Sequence, residues 1–151
     1  MKSSRNIKII HPFTEEEWSA YYQLRYEILR KPWNQPENTT RDETENESIH
    51  WLMMDEHSTP IATGRLQINS TTEGQIRSMA VQTDKQNAGL GTLMIQAIEE
   101  EAIRMNLSEI ILDARKEAVP FYIKNGYVVI KDSYLLFNSI QHYQMSKKLN
   151  S

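Results

Sequence analysis

Short apolar runs alternate along the chain with two longer segments in which apolar residues recur every three or four positions. In the first, Thr14 and three following glutamates provide the side-chain cap and acidic first turn of a helix that we expect to end near Arg30. In the second, the same spacing predicts a helix from Leu90 to Met105. The first apolar face comprises Trp18, Tyr21, Tyr22, Leu24, Ile28 and Leu29, and most of its aromatic residues are expected in the core.

The short apolar runs predict strands. Residues 49–54 and 61–68 flank a turn-forming stretch, which is typical of an antiparallel hairpin. Further strands are predicted at residues 7–10, 75–81, 109–112, 127–130 and 142–149, and a short helix at residues 117–124. This order predicts an α/β (α+β) fold in which helices pack on the faces of a mixed sheet. The last strand is expected to close that sheet.

Residues 31–48 interrupt the pattern and predict a long loop. This segment holds two prolines, three asparagines and five acidic residues, and Trp33 is its single large apolar side chain. A loop of this length in a small domain is usually functional or disordered, and a tryptophan between two prolines favours a partly anchored one.

Composition narrows the function classes. The 151 residues, 39% hydrophobic and 25% charged, fit one globular domain over residues 1–151. A net charge of -3 argues against nucleic-acid binding. No signal-peptide core or membrane-length apolar run occurs, so we expect a soluble, cytoplasmic protein without a membrane partner. Cysteine is absent and the four histidines lack metal-ligand spacing, so no metal is expected.

A glycine-bearing turn, residues 86–91, lies between a predicted strand and a predicted helix. Free backbone N–H groups at such a helix start favour an anion, and a pyrophosphate is the expected occupant. Gly89 and Gly91 would let phosphate oxygens approach the main chain, although the same residues could merely begin a helix in a tight turn. The segment lacks the lysine of a P-loop and a third glycine, which argues against other nucleotide-binding folds.

This turn resembles the Gln/Arg-x-x-Gly-x-Gly/Ala loop of the GCN5-related N-acetyltransferase (GNAT) family. Residues 118–127 are similar to the same family's Ala-x-x-x-Tyr-x-x-x-Gly-Phe/Tyr segment, and the resemblance is firm over residues 75–127. It implies a small, bacterial-type, stand-alone acetyltransferase with a mixed, mostly antiparallel sheet of six to seven strands and helices on both faces. It also implies an acceptor-side helix and loop at about 14–48 and an acetyl-CoA-binding core at about 75–127.

The resemblance assigns roles by residue. It implies that backbone groups of Met79 and Val81 pair with the pantetheine arm and that Tyr122 is the general acid, unless that residue is an ordinary core tyrosine. Arg115 replaces an asparagine of many relatives and could contact a cofactor phosphate or form a surface ion pair with Glu117 or Asp113. The implied acetyl-CoA contacts are Met79, Ala80, Val81, Gln86, Asn87, Ala88, Gly89, Leu90, Gly91, Thr92, Arg115 and Tyr122.

The acceptor and its base stay open at the level of sequence. Attack on a thioester needs a neutral amine, and Glu73 and His50 are candidate bases alongside Gln75 and His142, although each could be purely structural. The acidic loop would attract a cationic amine. The loop residues Trp33, Asn34 and Gln35 are the expected acceptor contacts, with Trp33 serving as a binding wall or as a loop anchor.

The predicted function is transfer of an acetyl group from acetyl-CoA to a primary amine by direct attack in a ternary complex. The acceptor could be a polyamine, an aminoglycoside, an amino acid, or a protein amino terminus or lysine. The alternative is a non-catalytic acyl-CoA-binding sensor, against which Tyr122 argues. An exposed sheet edge near the carboxyl end could also pair with a second copy in a homodimer.

Overall fold

Seven strands of one mixed sheet and three α-helices organise the chain. The computed structural model describes residues 6–85, 89–136 and 140–149. The helices are α1 (Glu15–Leu29), α2 (Leu90–Arg104) and α3 (Val119–Lys124). The strands are β1 (Lys8–Ile10), β2 (Ile49–Met54), β3 (Pro60–Ile68), β4 (Glu73–Val81), β5 (Glu109–Arg115), β6 (Val128–Leu136) and β7 (Ile140–Lys148).

The sheet has the strand order β1-β2-β3-β4-β5-β7-β6. Strands β4 and β5 pair in parallel, whereas β1 with β2, β2 with β3, β5 with β7 and β6 with β7 pair antiparallel. The predicted mixed, mostly antiparallel sheet is therefore confirmed.

The chain divides into two compact units that interleave in sequence. Unit 1 contains Met1–Leu66 and Ser78–Ile98, and unit 2 contains Gln67–Arg77 and Glu99–Ser151. The expectation of one acetyltransferase domain over residues 1–151 stays a prediction.

Helix α1 of unit 1 begins where the sequence predicts. The Thr14 hydroxyl accepts the Glu17 N–H at 3.1 Å, and the Glu17 carboxylate accepts the Thr14 N–H at 3.1 Å, which completes a capping box. Tyr21 and Leu24 lie buried on the inner face of the helix, as their spacing predicts. Such a cap contributes about 1 kcal/mol to stability.

Close packing of β3 against α2 forms the rest of the core of unit 1. A Cβ atom added at Gly64 would lie 2.9 Å from both Met94 Cγ and Ile98 Cδ1, so only glycine allows this approach. Met94 and Ile98 are fully buried, as the predicted helix face requires.

In unit 2, β7 lies between β5 and β6, which corrects the expectation that the last strand closes the sheet. The β5–β7 register runs from Glu109↔Lys148 to Arg115↔His142, so β5 also continues beyond its predicted end at Leu112. On one face of this sheet, Lys147 Nζ binds the Glu99 carboxylate of α2 at 2.9 Å and the Asn125 carbonyl after α3 at 3.0 Å. Helical residues of unit 2 therefore contact this face.

Strand β6 ends the strand order and is an edge strand. Its side chains Val128, Ile130 and Leu135 are each more than half exposed, which is unusual for apolar residues in a strand. The homodimer suggested by the sequence would have this edge available, and it stays a prediction.

The segment of residues 31–48 is more ordered than a plain loop. It contains three short 3-10 turns, Lys31–Trp33, Glu37–Thr40 and Glu45–Glu47. Thr40 and Glu45 are buried within it, although the segment is polar throughout. Such burial needs partners for the polar groups, which the next section describes.

Candidate active site

The carboxyl-terminal end of β4 carries the residues predicted to pair with the pantetheine arm. Ser78 has a left-handed φ of 54°, which interrupts the regular strand just before Met79. The Ser78 carbonyl accepts a hydrogen bond from the buried Thr63 hydroxyl at 3.0 Å, and this contact holds the irregular backbone in place. Ala80 is buried, whereas Met79 and Val81 are partly exposed.

Helix α2 begins with the geometry of an anion site. Gly89 has φ of 81°, a conformation that favours glycine, and its carbonyl accepts the Leu93 N–H at 3.2 Å. The N–H groups of Leu90, Gly91 and Thr92, in the first turn, have no acceptor four residues earlier within the helix. The predicted contacts Gln86, Asn87 and Ala88 lie outside the described residues.

Tyr122 lies in α3 with its ring buried. Its ring makes edge contacts with Phe121 and Tyr127, at centroid distances of 5.0 and 5.8 Å. Among the described residues its hydroxyl has no hydrogen-bond partner. Burial raises the pKa of the Tyr122 phenol, and the positive charge of Arg115 only partly opposes that rise. The phenol therefore stays protonated at neutral pH and can donate a hydrogen bond.

Arg115 ends β5 and is half-buried. The ion pair with Asp113 or Glu117 that the sequence left open is not formed within the part of the chain that the structure describes. Asp113 instead accepts the Ser133 hydroxyl at 2.6 Å and the Gln75 amide at 3.4 Å. The Arg115 guanidinium thus keeps its hydrogen-bonding capacity for another partner.

These side chains belong to one face of the sheet in unit 2, opposite to the face that Lys147 occupies. Residues directly opposite in a register share a face, and so do alternate residues along a strand. Arg115 pairs with His142, and Asp113 lies two residues before Arg115. We call the set Gln75, Asp113, Arg115, Ser133 and His142 the polar face.

His142 is the most buried member of the polar face. Its ring stacks on Tyr134, with centroids 4.4 Å apart and planes inclined by 10°. Its Nδ1 lies 3.0 Å from the Ile140 carbonyl oxygen, which can only accept a hydrogen bond. Burial lowers the pKa of the His142 imidazole. The ring is therefore neutral at pH 7, with its proton on Nδ1.

A second polar assembly lies buried in unit 1 and anchors the segment of residues 31–48. Arg25 binds Glu45 through two parallel hydrogen bonds of 2.9 and 3.0 Å, and Arg65 reaches the same carboxylate at 2.9 Å. Arg65 also makes two bonds of 2.9 Å to Asp42. We call these four residues the charge cluster.

Neighbouring groups complete the charge cluster. Arg25 also donates to the Thr40 carbonyl, Arg65 Nε donates to the Ser48 hydroxyl at 2.9 Å, and Tyr22 donates to Glu45 at 2.9 Å. Burial, followed by the hydrogen bond to Glu45, raises the pKa of Tyr22 to about 12. The Tyr22 phenol therefore stays protonated at neutral pH and donates its hydrogen bond to Glu45.

The carboxyls of the charge cluster are held ionised. Burial alone would raise the pKa of Glu45, but the hydrogen bonds and positive charge of Arg25 outweigh it and lower that pKa. Burial is likewise outweighed at Asp42, where hydrogen bonds from Arg65 and Thr44 lower the pKa. Two of the five acidic charges of the segment are therefore neutralised internally, which weakens the idea that its charge attracts a cationic amine.

His50 packs beside the charge cluster and is saturated with hydrogen bonds. Its Nε2–H donates to the Glu45 carbonyl at 2.8 Å, and its Nδ1 accepts the Tyr21 hydroxyl at 2.6 Å. Burial lowers the pKa of this imidazole. With both nitrogens occupied, His50 has no free lone pair for an amine proton, and the geometry favours a structural role over that of a base.

Glu73 lies at the start of β4, where its carboxylate accepts the Asn69 amide at 2.9 Å. The same Asn69 amide also donates to Gln75 Oε1 at 3.1 Å. Glu73 pairs with Glu109 at the beginning of the parallel β4–β5 register, three residues before the final pair, Ile76↔Leu112. These contacts tie Glu73 to the turn that precedes β4.

The predicted acceptor contacts lie together at the first 3-10 turn after α1. Trp33 is 37% exposed, and Asn34 adopts a left-handed conformation with φ of 57°. The Gln35 amide donates to the Trp33 carbonyl at 3.2 Å, and the Gln35 N–H donates to the Arg30 carbonyl at 3.1 Å. The Trp33 side chain is therefore partly buried and partly exposed, which leaves both of its predicted roles, binding wall and loop anchor, open.

Sequence reasoning missed the charge cluster, and on the polar face it missed Ser133 and the contacts of Asp113. Arg25 interrupts the apolar face of α1, and Arg65 stands in an apolar run of β3, so a charge at a core position was a signal for the cluster. Asp113 and Ser133 gave no comparable signal, because both strands were predicted to end before them.

The described residues contain no helix long and apolar enough to cross a membrane. Nor do they bring together three or more His, Asp or Glu side chains in a way that could hold a metal ion.

Comparisons with known proteins agree with this architecture. The sequence profile of the acetyltransferase (GNAT) domain matches residues 16–149. The chain is similar to the uncharacterized N-acetyltransferase YjcF of Bacillus subtilis (strain 168), with 33% identity over 141 residues that cover 93% of this chain and 99% of that protein.

Solved structures share the fold at lower identity. The crystal structure of an N-acetyltransferase from Lactobacillus plantarum superposes with a TM-score of 0.85 at 20% identity. The match covers 97% of this chain and 100% of that chain. A GNAT family acetyltransferase from Elizabethkingia anophelis, with acetyl-CoA bound, gives a TM-score of 0.76 at 15% identity, with coverage of 96% and 99%. The profile and the curated relative establish the family: this chain belongs to the GNAT acetyltransferases and is an acyltransferase that uses acetyl-CoA.

Proposed function

We propose that the chain acetylates a primary amine by direct attack of the amine on acetyl-CoA within a ternary complex. The observation that carries the proposal is the buried Tyr122, whose hydroxyl has no partner among the described residues. A tyrosine hydroxyl that bonds no described residue remains available as a hydrogen-bond donor to a ligand. A module that only senses acyl-CoA would have no need of it.

The start of α2 fits a pyrophosphate. Left-handed Gly89 leads into a first turn whose N–H groups are free to bind phosphate oxygens, and the helix dipole adds to their attraction. We assign this turn, together with backbone groups of Met79, Ala80 and Val81, to acetyl-CoA. Arg115 is unpaired within the described residues and is a further candidate for a cofactor phosphate.

Tyr122 is the proposed proton donor. Because burial raises the pKa of its phenol above the ordinary value of 10.0, the hydroxyl donates a hydrogen bond to the departing thiolate sulfur more readily than it gives up the proton outright. This donation stabilises negative charge as it develops on sulfur.

The acceptor is proposed to be a small-molecule or peptide amine, with Trp33, Asn34 and Gln35 as contacts. Trp33 offers a partly exposed aromatic face to an alkyl or cationic group. Acetylation of the amine removes its charge, so product and substrate differ strongly in their interaction with such a face.

The first experiment is a calorimetric titration of the protein with acetyl-CoA. We expect saturable binding that weakens at least about tenfold in Gly89→Val, because a side chain there strains the left-handed backbone and crowds the phosphate. Gln96→Ala, on the exposed side of α2, is the matched control and should bind like the unmodified protein. Absence of binding at millimolar acetyl-CoA would overturn the proposal.

A thiol-release assay with a panel of amines then tests the chemistry. Tyr122→Phe is expected to lower kcat by about a hundredfold while leaving the Kd for acetyl-CoA unchanged. Tyr26→Phe is the control, since Tyr26 lies in α1 and has no assigned role in the site. Binding without thiol release from any amine would instead support an acyl-CoA sensor.

A further inference from the structure

Resting on the proposed acetyl transfer, we propose that Nε2 of His142 accepts the proton that the acceptor amine must lose before it attacks. The geometry of the polar face assigns this role to His142 rather than to the other candidates.

The tautomer of His142 is set by the backbone. The Ile140 carbonyl oxygen, 3.0 Å from Nδ1, has no proton to give, so Nδ1 carries the hydrogen of the neutral ring. Nε2 then carries a lone pair. Among the described residues no group donates to that lone pair, although the side chain is only 5% exposed. This lone pair is thus available to a donor from outside the described residues, and a substrate ammonium is one.

Stacking on Tyr134 fixes the plane of the ring. The near-parallel rings, 4.4 Å apart, leave the imidazole little freedom to rotate while its Nδ1 stays bonded to Ile140. Nε2 is therefore pre-positioned, which is what general-base catalysis needs in addition to a suitable pKa.

Arg115 links His142 to the proposed acid within unit 2. It pairs with His142 across the β5–β7 register, and its positive charge acts on both the imidazole and the Tyr122 phenol. The same cation therefore influences the pKa of both the proposed base and the proposed acid.

The charges that face the imidazole oppose one another. Burial is the largest influence and lowers the pKa of His142, and Arg115 acts in the same direction. The Ile140 carbonyl, Asp113 and Glu117 act in the opposite direction, and Tyr134 covers the ring as an uncharged stacked neighbour. The net result is a pKa below the ordinary 6.5, so the base form is present throughout the neutral range.

The proton and electron balance is complete without a further reactant. Nε2 takes one proton from the ammonium, and the freed nitrogen lone pair forms the N–C bond to the acetyl carbonyl carbon. The C–S bond breaks with its electron pair on sulfur, which accepts a hydrogen bond from Tyr122. The surplus proton of the amide nitrogen passes through water and the Tyr122 hydroxyl to the sulfur, so that Tyr122 ends protonated, and His142 releases its own proton to solvent.

Other groups on the polar face are occupied. Asp113 accepts hydrogen bonds on both oxygens, one from Ser133 and one from Gln75. Glu73 accepts from Asn69 in the turn before β4. The described residues give His142 Nε2 no donor, whereas Asp113 and Glu73 each accept at least one hydrogen bond.

The test is the pH profile of kcat/KM for the amine that the panel identifies. In the unmodified protein we expect an acid-side limb with an apparent pKa below 6.5 from His142, separate from any limb due to the amine itself. In His142→Gln we expect kcat to fall at least about a hundredfold, the His142 limb to disappear, and the Kd for acetyl-CoA to stay the same. The exposed His57→Gln is the control and should keep both rate and limb.

Chemical rescue separates a base from a structural ring. We expect added imidazole to restore activity to His142→Ala, with the restored rate following the neutral imidazole concentration. A His142→Gln protein that keeps its kcat and its limb, or a folded His142→Ala protein without rescue, would overturn the proposal.

Nitrogen NMR of the histidine rings gives a measurement that needs no variant. The chemical shifts should show Nδ1 of His142 protonated and Nε2 unprotonated at pH 7, and the reverse tautomer would contradict the inference. Binding and turnover separate two failures. If the unmodified protein binds acetyl-CoA but acetylates no amine, the proposed function fails. If the unmodified protein turns over normally and His142→Gln has the same pH profile, only the assignment of His142 as the base fails.

Discussion

The charge cluster of unit 1 and the polar face of unit 2 contain the same kinds of side chain, but these side chains differ in how many hydrogen-bond partners they have. In the charge cluster, two arginines and two carboxylates bond one another, with Arg25 Nε buried without a partner, and the neighbouring His50 has both ring nitrogens bonded. On the polar face, His142 keeps one nitrogen without a donor and Arg115 has no ion pair, within the part of the chain that the structure describes. Burial is similar in the two histidines, so burial alone does not separate their roles.

The difference lies in how many hydrogen bonds each group has left to make. A saturated buried group stabilises one conformation, because any alternative would leave charges unpaired in a medium of low polarity. A buried group with remaining capacity pays an energetic cost in the free protein that a ligand can remove.

The largest expected effect is on stability in the charge cluster. Replacing Glu45 by alanine leaves Arg25 and Arg65 without their shared carboxylate, and we expect a loss of about 3–5 kcal/mol in the free energy of unfolding. Urea denaturation measures it. Glu47→Ala, an exposed residue two positions further along the same segment, should change stability by less than about 0.5 kcal/mol. Equal losses in the two variants would show that the Glu45 carboxylate contributes no more to stability than an exposed side chain.

A smaller effect is expected at His50, and it sharpens the contrast between the histidines. His50→Phe leaves the Glu45 carbonyl and the Tyr21 hydroxyl without a partner, so we expect a loss of about 1–3 kcal/mol in urea denaturation. The acid limb of the kcat/KM profile should not move, because His50 takes no substrate proton. Loss of that limb in a folded His50→Phe protein would transfer the base role to unit 1.

The smallest effect is a pH dependence of stability. The pKa of Glu45 in the folded chain lies below its ordinary 4.5, so ionisation stabilises the folded state above that pH. The stabilisation is lost as the pH falls from about 4.5 towards the lowered folded pKa. Denaturation between pH 3 and 7 should therefore show the gap between the unmodified protein and Glu45→Gln narrowing on the acid side. A constant gap would mean that Glu45 titrates normally in the folded protein.

Local signals in the sequence predicted the local structure well. Thr14 and Glu17 form the predicted capping box, the β2–β3 hairpin has its predicted bounds to within a residue, and α2 begins at Leu90. Each depends on residues close in sequence, where hydrogen-bonding chemistry and apolar spacing decide the outcome. The fold class and family followed from motifs of the same local kind.

Long-range pairing was predicted poorly, for a physical reason. Strand β5 continues to Arg115 because β7 satisfies its backbone, and β6 continues to Leu136 for the same reason. The polar residues at the ends of β5 and β6 do not reveal in the sequence that β7 will pair with them. Likewise, Glu45 reads as one of five loop acids until Arg25 and Arg65, distant in sequence, are brought to it by the fold.

The central position of β7 constrains how unit 2 is made during synthesis. Strands β5 and β6 leave the ribosome first, but neither pairs with the other in the finished sheet, since β7 lies between them. Strand β5 can pair with β4 on one edge, but its other edge and the whole of β6 lack their β7 partner until residues 140–148 emerge. During that interval the apolar residues of β6 are exposed, which is the situation in which nascent chains associate with one another.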